Sequence, residues 1–459
     1  MTAPRASQHP TVERFARHVN PAFVRLLGVF GYGRVFERAE DVWLYDHEGR
    51  RYLDMLAGFG ACNLGHAHPK LLARVRDFLD TRAPGILHVG PSGAMADLGE
   101  ALAKRAGGDL QVAMFATSGG EAVEAGLKLA RAATRRVGYV YCRGGFHGTN
   151  LGSLSVMGAE RMRAPFEPLL EHCEAVPFND VAALTKALAS RRAAAFLVEP
   201  ILGEGGVVMP APGYLAEAQR LCAKAGTLLV LDEVQTGLGR TGTTFAFEPE
   251  GVRPDVLVLG KALGAGLAPV SAALASAALY ERAYGTMERF DLHGSTYSGY
   301  ALGCAIGLAT LAILDEEGLA DNARERGRQL VEGLRARLAG HPIVRDVRGR
   351  GLLCAIELGA PEETGFLNQL KAPLVRAVSK NVFGQWLALR LLERGIVCQP
   401  ASQRWDVLRL EPPLTVRAEE IDLTVREVGA VLDEYRSLPV LHKDVSERLG
   451  RQFLAGWRF

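Results

Sequence analysis

Between about residue 60 and residue 320, short β-rich runs alternate with helical stretches, and no other feature constrains the fold of this chain so strongly. The runs predicted as strands are 112–117, 137–142, 194–199, 227–232 and 256–259. Between them lie segments of helical period, such as 121–135 and 214–225. Strand–helix alternation over this length predicts an α/β architecture, a mostly parallel sheet covered by helices.

The flanks follow a different rhythm. Residues 1–20 are polar and are predicted to form a loose or docking arm. Residues 41–54 alternate apolar and polar positions around Asp46-His47-Glu48-Gly49, which predicts a hairpin. Beyond about residue 320 an amphipathic helix (322–338) precedes a strand pair (344–358) around Arg348-Gly349-Arg350-Gly351. A helix over at least 387–394 and a strand over 407–410 complete a smaller α+β unit. The expected division is 1–60, an N-terminal arm and hairpin belonging to the small domain; 61–320, the large domain; 321–437, the C-terminal small domain; and 438–459, a tail. That tail carries Phe453, Trp457 and Phe459 among basic residues, and docking on its own dimer is the plain reading of it. A total of 459 residues accommodates one large domain and one small one.

Several function classes drop out. The 53 basic and 51 acidic residues leave a net charge of +2, no field for nucleic acid or an anionic membrane. No apolar run approaches the roughly 18–20 residues of a membrane span. The first residues hold no apolar stretch of the kind a secretory signal needs. Seven scattered cysteines with no C-x-x-C spacing argue against a disulfide framework or a metal site, and predict reduced thiols in a cytoplasm.

Four segments carry chemistry. Lys261 directly follows the apolar run 256–259 among glycines, where desolvation lowers an amine's pKa and makes it nucleophilic. A strand-end lysine reaching solvent is the plain alternative. The segment is no P-loop, because Asp255 and Ala262 stand where that motif needs Gly and Ser or Thr. Asp232 and Glu233 end a second apolar strand, where open α/β sheets bind ligands. Ser118-Gly119-Gly120 opens a helix and suits an anion held by backbone N–H groups. Gly144-Gly145-Phe146-His147-Gly148 offers an aromatic face in a glycine-flanked loop. A lysine for an imine, an acid for a ring nitrogen, an anion nest and a stacking face together are what pyridoxal 5′-phosphate requires.

The same residues resemble a known family, the class III pyridoxal-phosphate-dependent aminotransferases of fold type I. The matching motifs are Gly65-His66-Ala67-His68-Pro69, Ser118 to Glu124, Phe146-His147-Gly148, Glu199 to Gly206, Asp232 to Gly237 with Gly239-Arg240-Thr241-Gly242, Lys261, His293 to Thr296, Arg348 to Gly351 and Arg409 to Pro413. They occur in the family order over roughly residues 35–435. The resemblance implies that Lys261 carries the cofactor as an imine and then moves the proton. It implies that Asp232 pairs with the pyridine nitrogen, and that Val234 and Phe146 pack on the two ring faces. Gln235 is expected near the 3′-oxygen, with His147 and Glu199 among the cofactor-binding residues and Ser118, Gly119 and Gly120 on the phosphate. Thr296 is expected to reach the neighbouring subunit's phosphate, which makes the enzyme a homodimer.

Arg409 matches the arginine that grips an oxo-acid carboxylate in several relatives, and Glu204 its partner. Their plain alternative is a structural ion pair. Thr149 stands where amino-acid-specific relatives carry Arg, and Phe59 where some carry a substrate-facing Tyr. Leu202 replaces a usual Gln. These departures favour a primary amine or diamine donor, with a 2-oxo acid as acceptor. An ornithine- or acetylornithine-type activity, a carrier-bound or natural-product substrate and an aminomutase stay open; a nucleotide-binding protein is opposed by the absence of a P-loop, and a regulatory module by the presence of both Lys261 and Asp232.

Overall fold

The computed structural model describes residues 9–30, 33–359, 383–436, 440 and 444. Near the N-terminus, β1 (Phe36–Glu40), β2 (Trp43–Asp46) and β3 (Arg51–Asp54) form an antiparallel meander. Asp46 closes its turn by accepting from the N–H groups of Glu48 (3.0 Å) and Arg50 (2.9 Å). The arm, expected to be loose or docking, is helical at Pro10–His18, followed by a second helix, Pro21–Phe30. A proline in the first turn and His9, which accepts from Thr11 N–H, start the first helix, although it buries no residue.

Seven strands build the large sheet: β4 (Val112–Ala116), β5 (Gly138–Cys142), β6 (Cys173–Val176), β7 (Ala193–Val198), β8 (Leu228–Asp232), β9 (Val256–Leu259) and β10 (Ser271–Ala275). Their spatial order is β4-β10-β9-β8-β7-β5-β6. Only β10 runs against its neighbours. The chain is therefore α/β, with a mostly parallel sheet flanked by helices. Alternate residues face opposite layers: Leu229, Leu231, Leu257 and Leu259 join one core, while Val230, Val256 and Val258 join another beneath the helix Gly119–Thr134. Burial on both faces explains why these strands read as unbroken apolar runs.

Two strands of this sheet were not expected from the sequence. β6 is a four-residue edge strand with one fully buried position. β10, Ser-Ala-Ala-Leu-Ala, is wholly buried yet built of small residues with little intrinsic strand preference, so its neighbours decide its state.

The C-terminal part carries β11 (Val344–Arg350), β12 (Leu353–Leu358), β13 (Ile396–Val397), β14 (Gln399–Ala401) and β15 (Arg404–Leu410). A third sheet runs β11-β12-β15-β14, whereas β13 pairs in parallel with β3. The helix predicted over 387–394 spans 383–393. The aromatic tail residues Phe453, Trp457 and Phe459 lie outside the described residues. All seven cysteines are free thiols. Among the described residues, no helix is long and apolar enough to cross a membrane.

Candidate active site

The parallel strands β4, β5, β7, β8 and β9 deliver their carboxyl ends to one edge of the sheet. There the residues after them enclose a cavity of about 160 Å³. Its wall brings together Gly119, Gly120, Phe146, His147, Glu199, Glu204, Asp232, Val234, Gln235 and Lys261.

Asp232 is buried and carries two contacts that fix it. Its Oδ2 lies 2.8 Å from His147 Nδ1, and its Oδ1 accepts from Val234 N–H at 3.1 Å. His147 is itself fully covered, and its Nε2 has no protein partner. The neighbouring Glu233, read from the sequence as a second strand-end carboxylate, turns away. It accepts from Thr236 Oγ1 (2.7 Å), Ala246 N–H (3.0 Å) and Phe247 N–H (2.9 Å), and burial pushes its pKa to about 7. Alternation along β8 separates an acid that faces the cavity from one that ties down a loop.

Lys261 follows β9 with φ of +42°, a left-handed conformation that costs a non-glycine residue energy and is held by the surrounding turn. Burial lowers its pKa, against the raising influence of Glu411 and Glu204. Gln235 bridges the lysine to the far wall. With its amide oxygen toward the two cations it accepts from Lys261 Nζ at 2.9 Å and Arg409 Nη1 at 3.0 Å. The opposite orientation offers only longer contacts, 3.3 Å to Glu411 and 3.4 Å to the Phe59 carbonyl, and sets an N–H against both cations.

The glycines are there for close approach. A Cβ on Gly119 would meet Val234 Cγ1 at 2.8 Å, and one on Gly148, at φ +115°, would meet Gly120 Cα at 2.7 Å. Ser118 caps the helix Gly119–Thr134, its Oγ accepting from Glu121 N–H at 3.2 Å. The N–H groups of Gly119 and Gly120 have no acceptor within the helix, so an anion fits at that end. Glu199 does not face this nest; its carboxylate accepts from Phe146 N–H (2.8 Å) and Gly203 N–H (3.1 Å). Burial raises its pKa to about 7.

Arg409, from β15, is not itself in the cavity wall; it is completely buried and donates through Nη1 to Glu204, which is. Glu204 also accepts from Ser402 N–H at 2.8 Å. Burial opposes its charge, but Arg409 and Lys261 outweigh that and hold its pKa near 2. Arg409 Nε and Nη2 make no hydrogen bond. A buried guanidinium with two unspent donors suits a carboxylate. The ring of Phe59 lies 5.3 Å from this guanidinium and is 40% exposed. Thr149 and Ser118 are exposed and do not line the cavity. Thr296 is exposed too; it is absent from the cavity wall, and its carbonyl accepts from His88 Nε2 at 3.2 Å.

One residue went unnoticed in the sequence. Glu411, fully buried, stands 3.5 Å from Arg409 Nε through its Oε2. The signal was present: Arg409 and Glu411 are two apart at the end of a strand and so share a face.

Residues 31–432 match the family described as aminotransferase class-III. The chain belongs to the class III aminotransferases. Members of this family depend on pyridoxal 5′-phosphate, and the fold seen here is their fold type I. Over 93% of its length the chain is 34% identical to aminotransferase PigE of Serratia sp. (strain ATCC 39006), although it spans only about half, 54%, of that curated relative. Ornithine aminotransferase from Toxoplasma gondii superposes with a TM-score of 0.79 at 31% identity, covering 88% of this chain and 91% of that one. Acetylornithine aminotransferase from Elizabethkingia anophelis gives 0.72 at 29% identity, over 88% and 94%. A transaminase from the marine bacterium Virgibacillus gives 0.79 at 26% identity, over 89% and 94%.

Proposed function

We propose that this class III family member moves an amino group from a primary amine, a diamine or terminal amine in preference to an amino acid, to a 2-oxo acid in two half-reactions. The carrying observation is the pairing, across one small cavity, of the pKa-depressed amine of Lys261 with the His147-bound carboxylate of Asp232. The Toxoplasma ornithine aminotransferase was seen with partial pyridoxal phosphate occupancy. The cavity here fits the same group. Gly119 and Gly120, whose N–H groups have no acceptor within their helix, stand in its wall, and the same wall holds the carboxylate of Asp232 and the amine of Lys261.

In this reading the N–H groups of Gly119 and Gly120, with Ser118 beside them, hold the phosphate. Val234 and Phe146 cover the two faces of the ring, Gln235 lies near its oxygen, and Glu199 fixes the Phe146 loop. Asp232, oriented by His147, keeps the ring nitrogen protonated. Bound there, the cofactor supplies an electron sink for the carbanion that forms when the substrate carbon loses its proton. Lys261 Nζ takes that proton and returns it one step later, a role favoured by the burial that lowers its pKa. Arg409 grips the carboxylate of the 2-oxo acid, and Glu204 balances the arginine while an amine occupies the site.

The partner subunit completes the site. The segments around residues 86–89 and 287–297 are joined by the His88–Thr296 contact. They expose Ile86, Leu87, Val89, Met287, Phe290, Leu292 and Tyr297. Such an apolar face is expected to be covered by a second copy, with Thr296 reaching the neighbour's phosphate.

The test is an amine panel given to the cofactor-loaded protein with pyruvate or 2-oxoglutarate. Formation of alanine or glutamate at the expense of the amine supports transfer. Rearranged amine with no new amino acid would instead identify an aminomutase.

A further inference from the structure

Arg409 faces a second carboxylate besides Glu204. The alternation of β15 carries Arg409 and Glu411 to the same side, and the Glu411 N–H is anchored on the Met55 carbonyl at 2.8 Å. The two side chains, and that of Arg240, have no exposure at all. Glu411 sits between the two guanidiniums, with Oε2 3.5 Å from Arg409 Nε and Oε1 3.9 Å from Arg240 Nε. Arg240 spends its remaining donors on the Leu352 and Pro412 carbonyls and the Asn63 amide oxygen. Glu411 Oε1 and both Nε atoms are without hydrogen bonds. Glu411 therefore supplies charge to Arg409 while occupying none of its donors. Glu204 does the reverse, accepting directly from Nη1.

The carboxylate of Glu411 is also locked. Gly60 packs against Oε1 so closely that an added Cβ would collide with it. An incoming carboxylate can displace Glu204 from Nη1, but it has no way to move Glu411. We propose that Glu411 is a fixed counter-charge that keeps Arg409 balanced after Glu204 moves aside, and so weights the site toward amine donors with no carboxylate on the reacting carbon. This deepens the reading of Arg409 as the carboxylate subsite and rests on it. A donor carboxylate placed beside Arg409 is repelled by Glu411, and a plain amine brings no such charge. The oxo-acid acceptor meets the same repulsion, so its apparent KM is set high by the same residue. Glu411 acts through Arg409 as a positioning residue.

The experiment compares Glu411→Gln with wild type in single-turnover half-reactions, both loaded with pyridoxal phosphate for the amine donors and with pyridoxamine phosphate for the oxo acid. Pentylamine, L-norleucine (the same amine bearing a carboxylate) and pyruvate are the probes. The norleucine-to-pentylamine ratio of kcat/KM is expected to rise about tenfold and the pyruvate KM to fall several-fold, with the pentylamine rate changing least. An unchanged ratio overturns the inference, whatever happens to the melting temperature. Glu411→Met, which needs no polar partner, repeats the test should the Gln variant fold poorly, and no shift in it counts equally against. Arg409→Ala separates the two readings. If it leaves the pyruvate KM unchanged, the subsite itself is misassigned; if it raises that KM while Glu411→Gln shifts nothing, only the Glu411 inference fails.

Discussion

Lys261, Asp232, His147 and Gly119 form the strand-end side of the site, each at or just past the end of a strand in one mostly parallel sheet. Glu204, also in the cavity wall, and its partner Arg409 form the other, and come from a loop after β7 and from a strand of a different sheet, 205 residues apart in the chain. The first side is held by backbone geometry. Close packing at Gly119 and Gly148 and the alternation of β8 and β9 leave each side chain little choice. The second side is held by charge: two guanidiniums, two carboxylates and one amide share a space with almost no water access. Substitutions on the first side should therefore cost chemistry, and those on the second should redistribute specificity.

The largest effect is expected at Lys261. Lys261→Ala should still bind the cofactor through phosphate and ring contacts yet lose several orders of magnitude in turnover. Borohydride reduction of the wild-type holoenzyme and peptide mapping should find the cofactor on Lys261; a label on Lys128 or Lys224 would contradict the assignment. Asp232→Asn comes next. It keeps the shape of the side chain and can retain one of the two contacts that hold Asp232, but it removes the charge. Turnover should fall roughly 10²- to 10³-fold with weaker cofactor binding, whereas near-normal turnover would refute a role in ring protonation.

At Arg409 the expected loss is selective. Arg409→Ala should raise the apparent KM for the oxo acid by about 30- to 1,000-fold, corresponding to about 2–4 kcal/mol for one buried, hydrogen-bonded charge contact. The amine half-reaction should lose far less. The same change strands Glu204 without its guanidinium and leaves Glu411 with Arg240 alone, so the melting temperature should drop as well. The KM split is therefore the diagnostic, and equal loss in both half-reactions would make the Arg409–Glu204 pair purely structural.

The two sides were also unequally legible in the sequence. Strand ends are local features, and the apolar runs before Asp232 and Lys261 fixed both residues at the sheet edge before any contact was known. The family motifs then supplied roles that spacing alone left open. The strand β10 was hidden because alanine carries no strand signal, and the N-terminal arm because its helix is amphipathic but buries nothing. Glu411 was hidden for a different reason. Its meaning lies in Arg240, 171 positions earlier, and no pattern within one strand reveals a carboxylate shared by two buried arginines.

The smallest and most discriminating effect is expected at Thr149. It stands exposed beside the Gly148 turn, just outside the cavity wall, so it offers no cation to a carboxylate at that end. Arg143, the nearest cation in the chain before this loop, is exposed and its N–H is tied to the Val176 carbonyl, on the far side of the glycine pair. A donor carboxylate desolvated here without a partner costs several kcal/mol, which penalises amino acids relative to amines. Putrescine, cadaverine or a simple aliphatic amine should thus exceed ornithine, acetylornithine and 4-aminobutyrate in kcat/KM at saturating oxo acid. Thr149→Arg should shift that ratio toward the carboxylated donors by about tenfold, because position 149 adjoins Gly148 of the cavity wall and an arginine there would supply the missing cation. It acts at the distal end of the donor and Glu411→Gln at the reacting carbon, so the two changes should add when combined. A wild-type preference for ornithine or acetylornithine would overturn the inference from Thr149 and move the search to an arginine of the neighbouring subunit.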